Sequence, residues 1–508
     1  MPITAASDTH ASDTGASGTD APESRSRALL RHAWIPALLF LLAVAVRLWM
    51  IRRAGGLYAE LNPDEGAYYG ASMGLVHGLL PYRDLVLLHP PGIAVLLSPF
   101  AALSYLVGDQ DSMALMRVGV VVVGGLNTVL VYNVAKRVGT PAAICAGLFY
   151  AIWFPAARVE RTALLEPFVL TSILVALLVA TGPRVTNRRL IIGGVVVGVL
   201  ASVKLYTLLP LLVVVVALLI AEGWKKAGTF LLSIAAGFAA VCLPFFLVAP
   251  SDMFRMIITD QLGRTGETDV WARMRDILAL SKLDPGAGTM TIVVAAAFIV
   301  ITIFTCIKVS QARLWAALLV TQLAILMTTP NLFINYTAFA AASIALILGG
   351  FAQAVSGDLK TPLNALRFVL VMAVVSAAAL ITLIPRYAQG QPFPVTAATK
   401  AVKGANCVTS DSATALILTN TFSSNVANNC PIEVDFTGIV YETRGLPLSR
   451  ASNPEFQRLA LEYLNNGDRV IIAREQQDGL TPETLANLQR RPVLYRGERV
   501  TVYGPLPA

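Results

Sequence analysis

The sequence predicts an α-helical polytopic membrane protein with about eleven transmembrane helices, followed by a small extracytoplasmic α/β domain. Three observations carry this expectation. Of 508 residues, 56% are hydrophobic and only 14% are charged, and apolar runs long enough to cross a bilayer recur along the chain. The Lys and Arg residues gather in short groups between those runs. From about Gln391 the composition changes to that of a soluble domain. A net charge of +8 could point to nucleic acid. Basic groups confined to connections are instead what the positive-inside rule expects, so the basicity reads as topology and no nucleic-acid partner is expected.

Residues 1–32 read as a cytoplasmic tail. The first 27 are rich in Ser, Thr, Ala, Asp and Gly and cannot bury enough apolar surface to offset the entropy of folding, so disorder is expected. No cleavable signal is expected, because the first apolar run starts near Ala33 and is long enough to remain as an anchor. The transmembrane part, 33–390, contains apolar segments at roughly 33–51, 113–135, 140–156, 167–182, 190–203, 205–221, 228–249, 290–307, 314–329, 335–352 and 367–386.

Two boundaries need an argument beyond hydropathy. The run 91–106 is short and carries Pro99, and counting it as a span would put Lys136 and Arg137 outside, so it reads as a juxtamembrane or re-entrant element. The run 190–221 would be about 48 Å long as one helix against a hydrocarbon core of roughly 30 Å, so a turn is expected at Lys204. With the N-terminus inside beside Arg25, Arg27 and Arg31, five basic groups from Lys136/Arg137 to Lys360/Arg367 then fall on the inner side. The loops 52–112, 157–166, 250–289 and 329–334 face out, as does everything after Pro385. The expected location is a cell membrane.

In the extracytoplasmic domain, 391–508, strand-like runs occur at 415–419, 470–473 and 500–503, with helical patterns at 454–464 and 482–489. Cys145, Cys242 and Cys306 lie in apolar spans, whereas Cys407 and Cys430 are together in this domain. A disulfide between these two would close a loop of about 24 residues, worth roughly 3 kcal/mol in the loop-entropy account.

The chemistry-bearing residues concentrate in the first outer loop. Leu61-Asn-Pro-Asp-Glu65 places two carboxylates just after a span, where lipid makes such groups expensive. Asn62 as N-cap, Pro63 at N1 and Glu65 at N3 make a good helix start, which accounts for much of Glu65 but does not require Asp64; the candidate catalytic carboxylates are Asp64, Glu65 and Glu166. Tyr68, Arg83 and His89 follow in the same loop. A carboxylate there can take the proton of an attacking hydroxyl, while Arg or Lys neutralises a leaving phosphate. Candidate donor-phosphate or substrate-binding residues are Tyr68, Arg83, His89, Arg158, Arg161 and Lys204; the alternative for Lys204 is a snorkelling lysine at a helix end. Glu166 lies almost inside an apolar run and needs a partner from another element. Arg47 and Arg117 also interrupt spans and read as snorkelling residues. No Cys/His metal spacing and no Ser/His/Asp arrangement are visible. A divalent cation, Mg²⁺, Mn²⁺ or Ca²⁺, held by Asp64 and Glu166 is compatible with carboxylate chemistry without being required.

The chain resembles the GT-C glycosyltransferases, in the branch of protein O-mannosyltransferases, lipid A aminoarabinose transferases and RgtA/B/C/D-like enzymes (glycosyltransferase family 39-like). The resemblance rests on Asp64-Glu65 and Tyr68, on Gly78-Leu-Leu-Pro-Tyr-Arg-Asp84 and His89-Pro-Pro-Gly92, and on Arg161-Thr-Ala-Leu-Leu-Glu166 and Gly198-Val-Leu-Ala-Ser-Val-Lys204. It implies a polyprenyl-phosphate-linked sugar donor and a glycan, lipid or protein acceptor outside the membrane. It also implies inverting hexosyl or pentosyl transfer with Asp64 as base, Glu166 as the acidic residue of the second outer loop, and Lys204 at the donor phosphate. A transporter or flippase of a lipid-linked sugar would share the spans, but no internal repeat is visible and the charges gather at one surface rather than at the midplane. A non-enzymatic envelope assembly protein is the third reading.

Overall fold

The computed structural model describes residues 22–507 except 183, 265–268, 285–287, 385–389, 444–448 and 475–478; of the expected disordered tail, 1–21 lie outside the described residues, and the part from 22 onward is helical instead. The first helix, α1 (Pro22–Arg53), starts well ahead of the apolar run that begins near Ala33. Hydropathy reports where a helix enters lipid, not where its backbone begins, and Pro22 at the first helical position is a preorganised start.

All eleven expected segments are helical. After α1 come α2 (Pro63–Val76), α3 (Gly92–Ala101) and α4 (Ser104–Val107), then α5 (Asp109–Ala135), α6 (Thr140–Ile152), α7 (Phe154–Val159), α8 (Glu166–Ala180) and α9 (Asn187–Ala201). They are followed by α10 (Leu208–Glu222), α11 (Trp224–Val248), α12 (Pro250–Phe254), α13 (Asp260–Leu262), α14 (Val270–Ile277), α15 (Thr289–Lys308), α16 (Ala312–Thr328), α17 (Ala341–Ser356) and α18 (Pro362–Leu383). Among the described residues, seven stretches are long and apolar enough to cross a membrane by length and composition: 34–53, 109–135, 205–222, 224–248, 289–308, 334–356 and 362–383. The other four expected spans, α6, α8, α9 and α16, are 13–17 residues long. The run 91–106 is broken into α3 and α4, and the chain turns between Ala201 and Leu205, as the length argument requires.

The C-terminal domain has α19 (Val395–Val402), β1 (Val408–Ser410), α20 (Ala413–Leu418), α21 (Phe422–Ala427), α22 (Pro454–Asn465), β2 (Arg469–Ile472), α23 (Pro482–Leu488), β3 (Val493–Arg496) and β4 (Thr501–Tyr503). Its sheet has the order β1-β2-β4-β3, with β1 parallel to β2 and the other two pairs antiparallel. Successive residues of β2 point to opposite faces. Val470 and Ile472 pack with Phe456 and Leu464 of α22, whereas Ile471 joins the core shared with the helical bundle. Cys407 and Cys430 form a disulfide.

One strand expectation is overturned. Residues 415–419 fall in and just after α20, a helix buried at every position between the sheet and α2 and α5. A short all-apolar run has no periodicity to separate a buried strand from a buried helix. The domain docks where α2 presents Gly66: a Cβ there would lie 2.6 Å from the Thr414 hydroxyl oxygen and 2.7 Å from its backbone nitrogen. Glu60 and Gln391 exchange backbone hydrogen bonds beside this contact. The face of the bundle carrying this domain is called the capped face below.

Candidate active site

At the capped face α2 begins as its sequence dictates. Asn62 is extended and its side chain accepts from the backbone N–H of Asp64 at 2.9 Å, with Pro63 at N1. Asp64 and Tyr68, four residues apart, then share one side of the helix and line one cavity. Glu65 points the other way. Its carboxylate accepts two hydrogen bonds from the Arg117 guanidinium, at 2.8 and 2.6 Å, with both side chains fully buried. Glu65 therefore reaches across to α5 and is absent from the linings of the chambers described below.

His89 is brought in by a close approach of two backbones. Gly92 N–H donates to the Ser202 carbonyl at 3.0 Å, and a Cβ on Gly92 would lie 2.6 Å from that oxygen. Only glycine lets His89-Pro-Pro-Gly92 rest on the turn that carries Lys204. Lys204 is buried and donates to Glu166 Oε1 at 2.9 Å, while its ammonium lies 3.5 Å from the Tyr336 ring centre and 4.6 Å from that of Tyr206. Glu166 thus has the partner from another element that its depth demanded, and Lys204 does not snorkel.

Two chambers meet at this point. The first, of about 330 Å³, is lined by Asp64, Tyr68, His89, Arg264, Phe333 and Tyr336, and on the far wall by Thr437, Val440, Tyr441, Ser449 and Arg450 of the C-terminal domain. The second, of about 390 Å³, is mainly apolar and contains Lys204, with walls from Leu205 and Leu209, from Ile257, Ile258 and Leu262, and from Ile325. His89, Arg264, Asn331 and Tyr336 line both. A polar compartment with a carboxylate therefore adjoins an apolar one with a lysine, and Arg264 stands at the junction. Arg264 Nε donates to the Tyr441 hydroxyl at 2.7 Å.

Asp64 is half-buried. Its Oδ2 accepts from the Asn335 amide at 3.2 Å, and among the described residues no other side chain donates to its carboxylate. Burial raises its pKa above the ordinary carboxylate value, with Asp435 and Glu166 adding to the shift and Arg474 and Lys204 opposing it. Burial, with Lys204 and Arg264 nearby, holds the His89 imidazole well below its usual value. Both influences favour the neutral imidazole over the charged one.

The remaining expected residues separate. Arg158 joins the site's flank by donating to Asn335 Oδ1. Arg161 is buried, donates to the Met50 carbonyl at 3.4 Å, and lines neither chamber. Arg83 does not join the site: its half-exposed guanidinium pairs with Asp84, the next residue, at 2.6 Å. Arg47 and Arg117, expected to snorkel, are instead fully buried in ion pairs. Arg47 binds Glu160, whose carboxylate also accepts from Asn127 and Tyr150, both at 2.7 Å. A cation between Asp64 and Glu166 does not fit this arrangement, because Glu166 is engaged by Lys204 and no group of three or more His, Cys, Asp or Glu gathers among the described residues.

Sequence reading did not single out Asn335, Tyr336, Arg264 or Tyr441. Arg264 stands in a loop of many charges with no spacing to mark it. The other three are uncharged, and nothing local distinguishes them.

A model of glycosyltransferase family 87 matches residues 87–330. The fold is similar to ArnT from Cupriavidus metallidurans in the apo state, with a TM-score of 0.57 and 15% identity, covering 94% of this chain and 100% of that one. The same enzyme bound to undecaprenyl phosphate matches with a TM-score of 0.51 and 14% identity, covering 94% and 99%. The archaeal oligosaccharyltransferase AglB from Archaeoglobus fulgidus, in complex with an inhibitory peptide and a dolichol-phosphate, matches with a TM-score of 0.53 and 12% identity, covering 88% and 70%. No curated protein sequence matches. The family 87 model thus covers the central part of the chain, and the apolar helical bundle with its capped polar chamber has a fold similar to that of ArnT and AglB.

Proposed function

We propose that the protein transfers a sugar from a polyprenyl-phosphate donor to a hydroxyl acceptor, with inversion, at a capped face turned to the outside of a cell membrane. The observation that carries this is the junction of the two chambers: Asp64 in the polar one, Lys204 in the apolar one, and Arg264 between them. The isoprenoid end of the donor suits the apolar chamber, its phosphate the Lys204 and Arg264 cations, and its sugar the compartment beside Asp64.

In the reaction Asp64 takes the proton of the acceptor hydroxyl as that oxygen attacks the anomeric carbon. The bond from that carbon to the phosphate oxygen breaks, and the polyprenyl phosphate leaves with the electron pair. Its charge meets Lys204 and Arg264, so the leaving group needs no proton. A base raised by burial is well matched to this step, since general-base efficiency rises as the base pKa approaches the working pH. Undecaprenyl phosphate bound to the ArnT structure and dolichol-phosphate bound to AglB support a donor of this class.

The test uses purified protein and polyprenyl-phosphate sugars labelled in the sugar. Transfer of label is expected, and Asp64→Asn is expected to reduce kcat by about 10²- to 10⁴-fold while the protein still folds. Full activity in that variant would remove the base. A cysteine placed near Gln391 is expected to react with an impermeant reagent on intact cells, and reaction only after permeabilisation would reverse the orientation.

A further inference from the structure

We infer that Asn335 is a positioning residue for Asp64, locked in place by Asn62 and Arg158. The inference rests on the proposed role of Asp64 as base.

Three side chains close a ring. Asn62 Oδ1 accepts from the Asp64 backbone N–H at 2.9 Å, Asn62 Nδ2 donates to Asn335 Oδ1 at 3.3 Å, and Asn335 Nδ2 donates to Asp64 Oδ2 at 3.2 Å. Asn62 and Asn335 are both 4% exposed, so neither exchanges these partners readily with water. The orientation of each amide is determined by its neighbours. Asn335 Oδ1 receives both Asn62 Nδ2 and the Arg158 guanidinium. Turning the Asn335 amide over would set its NH₂ against two donors and its carbonyl against a carboxylate. The NH₂ must therefore face Asp64.

The consequence for Asp64 is directional. Its Oδ2 is held by an amide whose carbonyl is polarised by a guanidinium, which strengthens the N–H as a donor. A donor to the ionised form favours that form and opposes the effect of burial. Oδ1 is left for the acceptor hydroxyl. The ionisable groups that act most on Asp64 are Asp435 and Arg474 of the C-terminal domain, Glu166 on α8 and Lys204 after α9, with Tyr68 on its own helix, Tyr336 beside Asn335, and His89 and Arg264 in the same chamber. None of them supplies a hydrogen bond to Oδ2.

The experiment is the pH profile of sugar transfer for the full-length protein in lipid nanodiscs, with Asn335→Ala, Asn335→Asp, Arg158→Gln and Asp64→Asn side by side. Asn335→Ala is expected to lower kcat about tenfold or more, to leave the donor KM nearly unchanged, and to move the acidic limb of the profile to higher pH. Asn335→Asp sets a second carboxylate where a donor is needed and is expected to move that limb further. Arg158→Gln removes the polarising cation and is expected to move the limb the same way by less, which keeps the test alive if an Asn335 variant does not fold. An acidic limb unmoved in the folded Asn335 or Arg158 variants, with Asp64→Asn inactive, overturns the positioning role and leaves the base intact. Full activity of Asp64→Asn overturns the base itself, and the positioning role with it.

Discussion

Lys204 Nζ donates to Glu166 Oε1 across 2.9 Å, joining the turn after α9 to the first residue of α8 with both side chains at most 3% exposed. Removing one partner of such a pair leaves an uncompensated buried charge, at about 3–5 kcal/mol. Lys204→Met alone is expected to lower the thermal unfolding midpoint strongly. Lys204→Met combined with Glu166→Gln is expected to recover most of that stability and none of the transfer activity, because the cation proposed for the donor phosphate is still missing. A stable and active double variant would reduce Lys204 to a helix-packing residue.

Glu65 and Arg117 provide the contrasting case. Their fully buried bidentate pair ties the start of α2 to α5 and lines neither chamber. Glu65→Gln is expected to destabilise by about 3 kcal/mol or more, through the unpaired guanidinium. Pairing it with Arg117→Met is expected to restore both the unfolding midpoint and transfer to within about tenfold of the parent. Restored stability with activity as low as that of Asp64→Asn would return Glu65 to the catalytic set.

Arg264 and Arg83 test which arginine meets the donor. Arg264 lines both chambers, whereas Arg83 is half exposed and bound to its neighbour Asp84. Arg264→Ala is expected to raise the donor KM about tenfold or more, in line with the loss of a charge-assisted contact of roughly 1.5–3 kcal/mol. Arg83→Ala is expected to change it less than about threefold, since exposed ion pairs contribute about 0–1 kcal/mol. Steady-state kinetics with varied donor decide it, and the reverse order would move the phosphate site.

In the C-terminal domain, burial and then the charges of Glu442 and Asp435 push the Glu433 carboxyl up to about 8. A raised carboxyl favours the protonated form in the folded state. The stability it confers is full below the unfolded value near 4.5 and is lost as pH rises towards 8. Glu433→Gln removes that slope. The variant is expected to match the parent near pH 5 and to exceed it by about 1–3 kcal/mol near pH 8.5. Unfolding midpoints across that range check this, and a gap that narrows with rising pH would contradict it.

How far the site was legible depended on the kind of signal each residue leaves. Asp64 stood out because a carboxylate beside a span is costly, and helix capping did not account for it. The turn at Lys204 followed from length alone. Arg47 and Arg117 went wrong for the opposite reason: position along a helix does not tell whether a charge reaches for the headgroups or meets a carboxylate 113 or 52 residues away. The buried helix α20 was read as a strand because the four consecutive apolar residues 415–418 carry no period.

The amino-acid order by itself determined the helical bundle, the cap at Asn62, the paired cysteines and the segment that holds Asp64. These are consequences of transfer free energy and local geometry, which act over a few residues at a time. Only the tertiary structure decided which charges meet one another and which line the chambers. It sent Glu65 to Arg117 and Glu166 to Lys204, left Arg83 with Asp84, and brought Arg264, Asn335 and Tyr441 to Asp64. Electrostatic partners and chamber walls are set by proximity between distant segments, and a sequence read locally contains no distances.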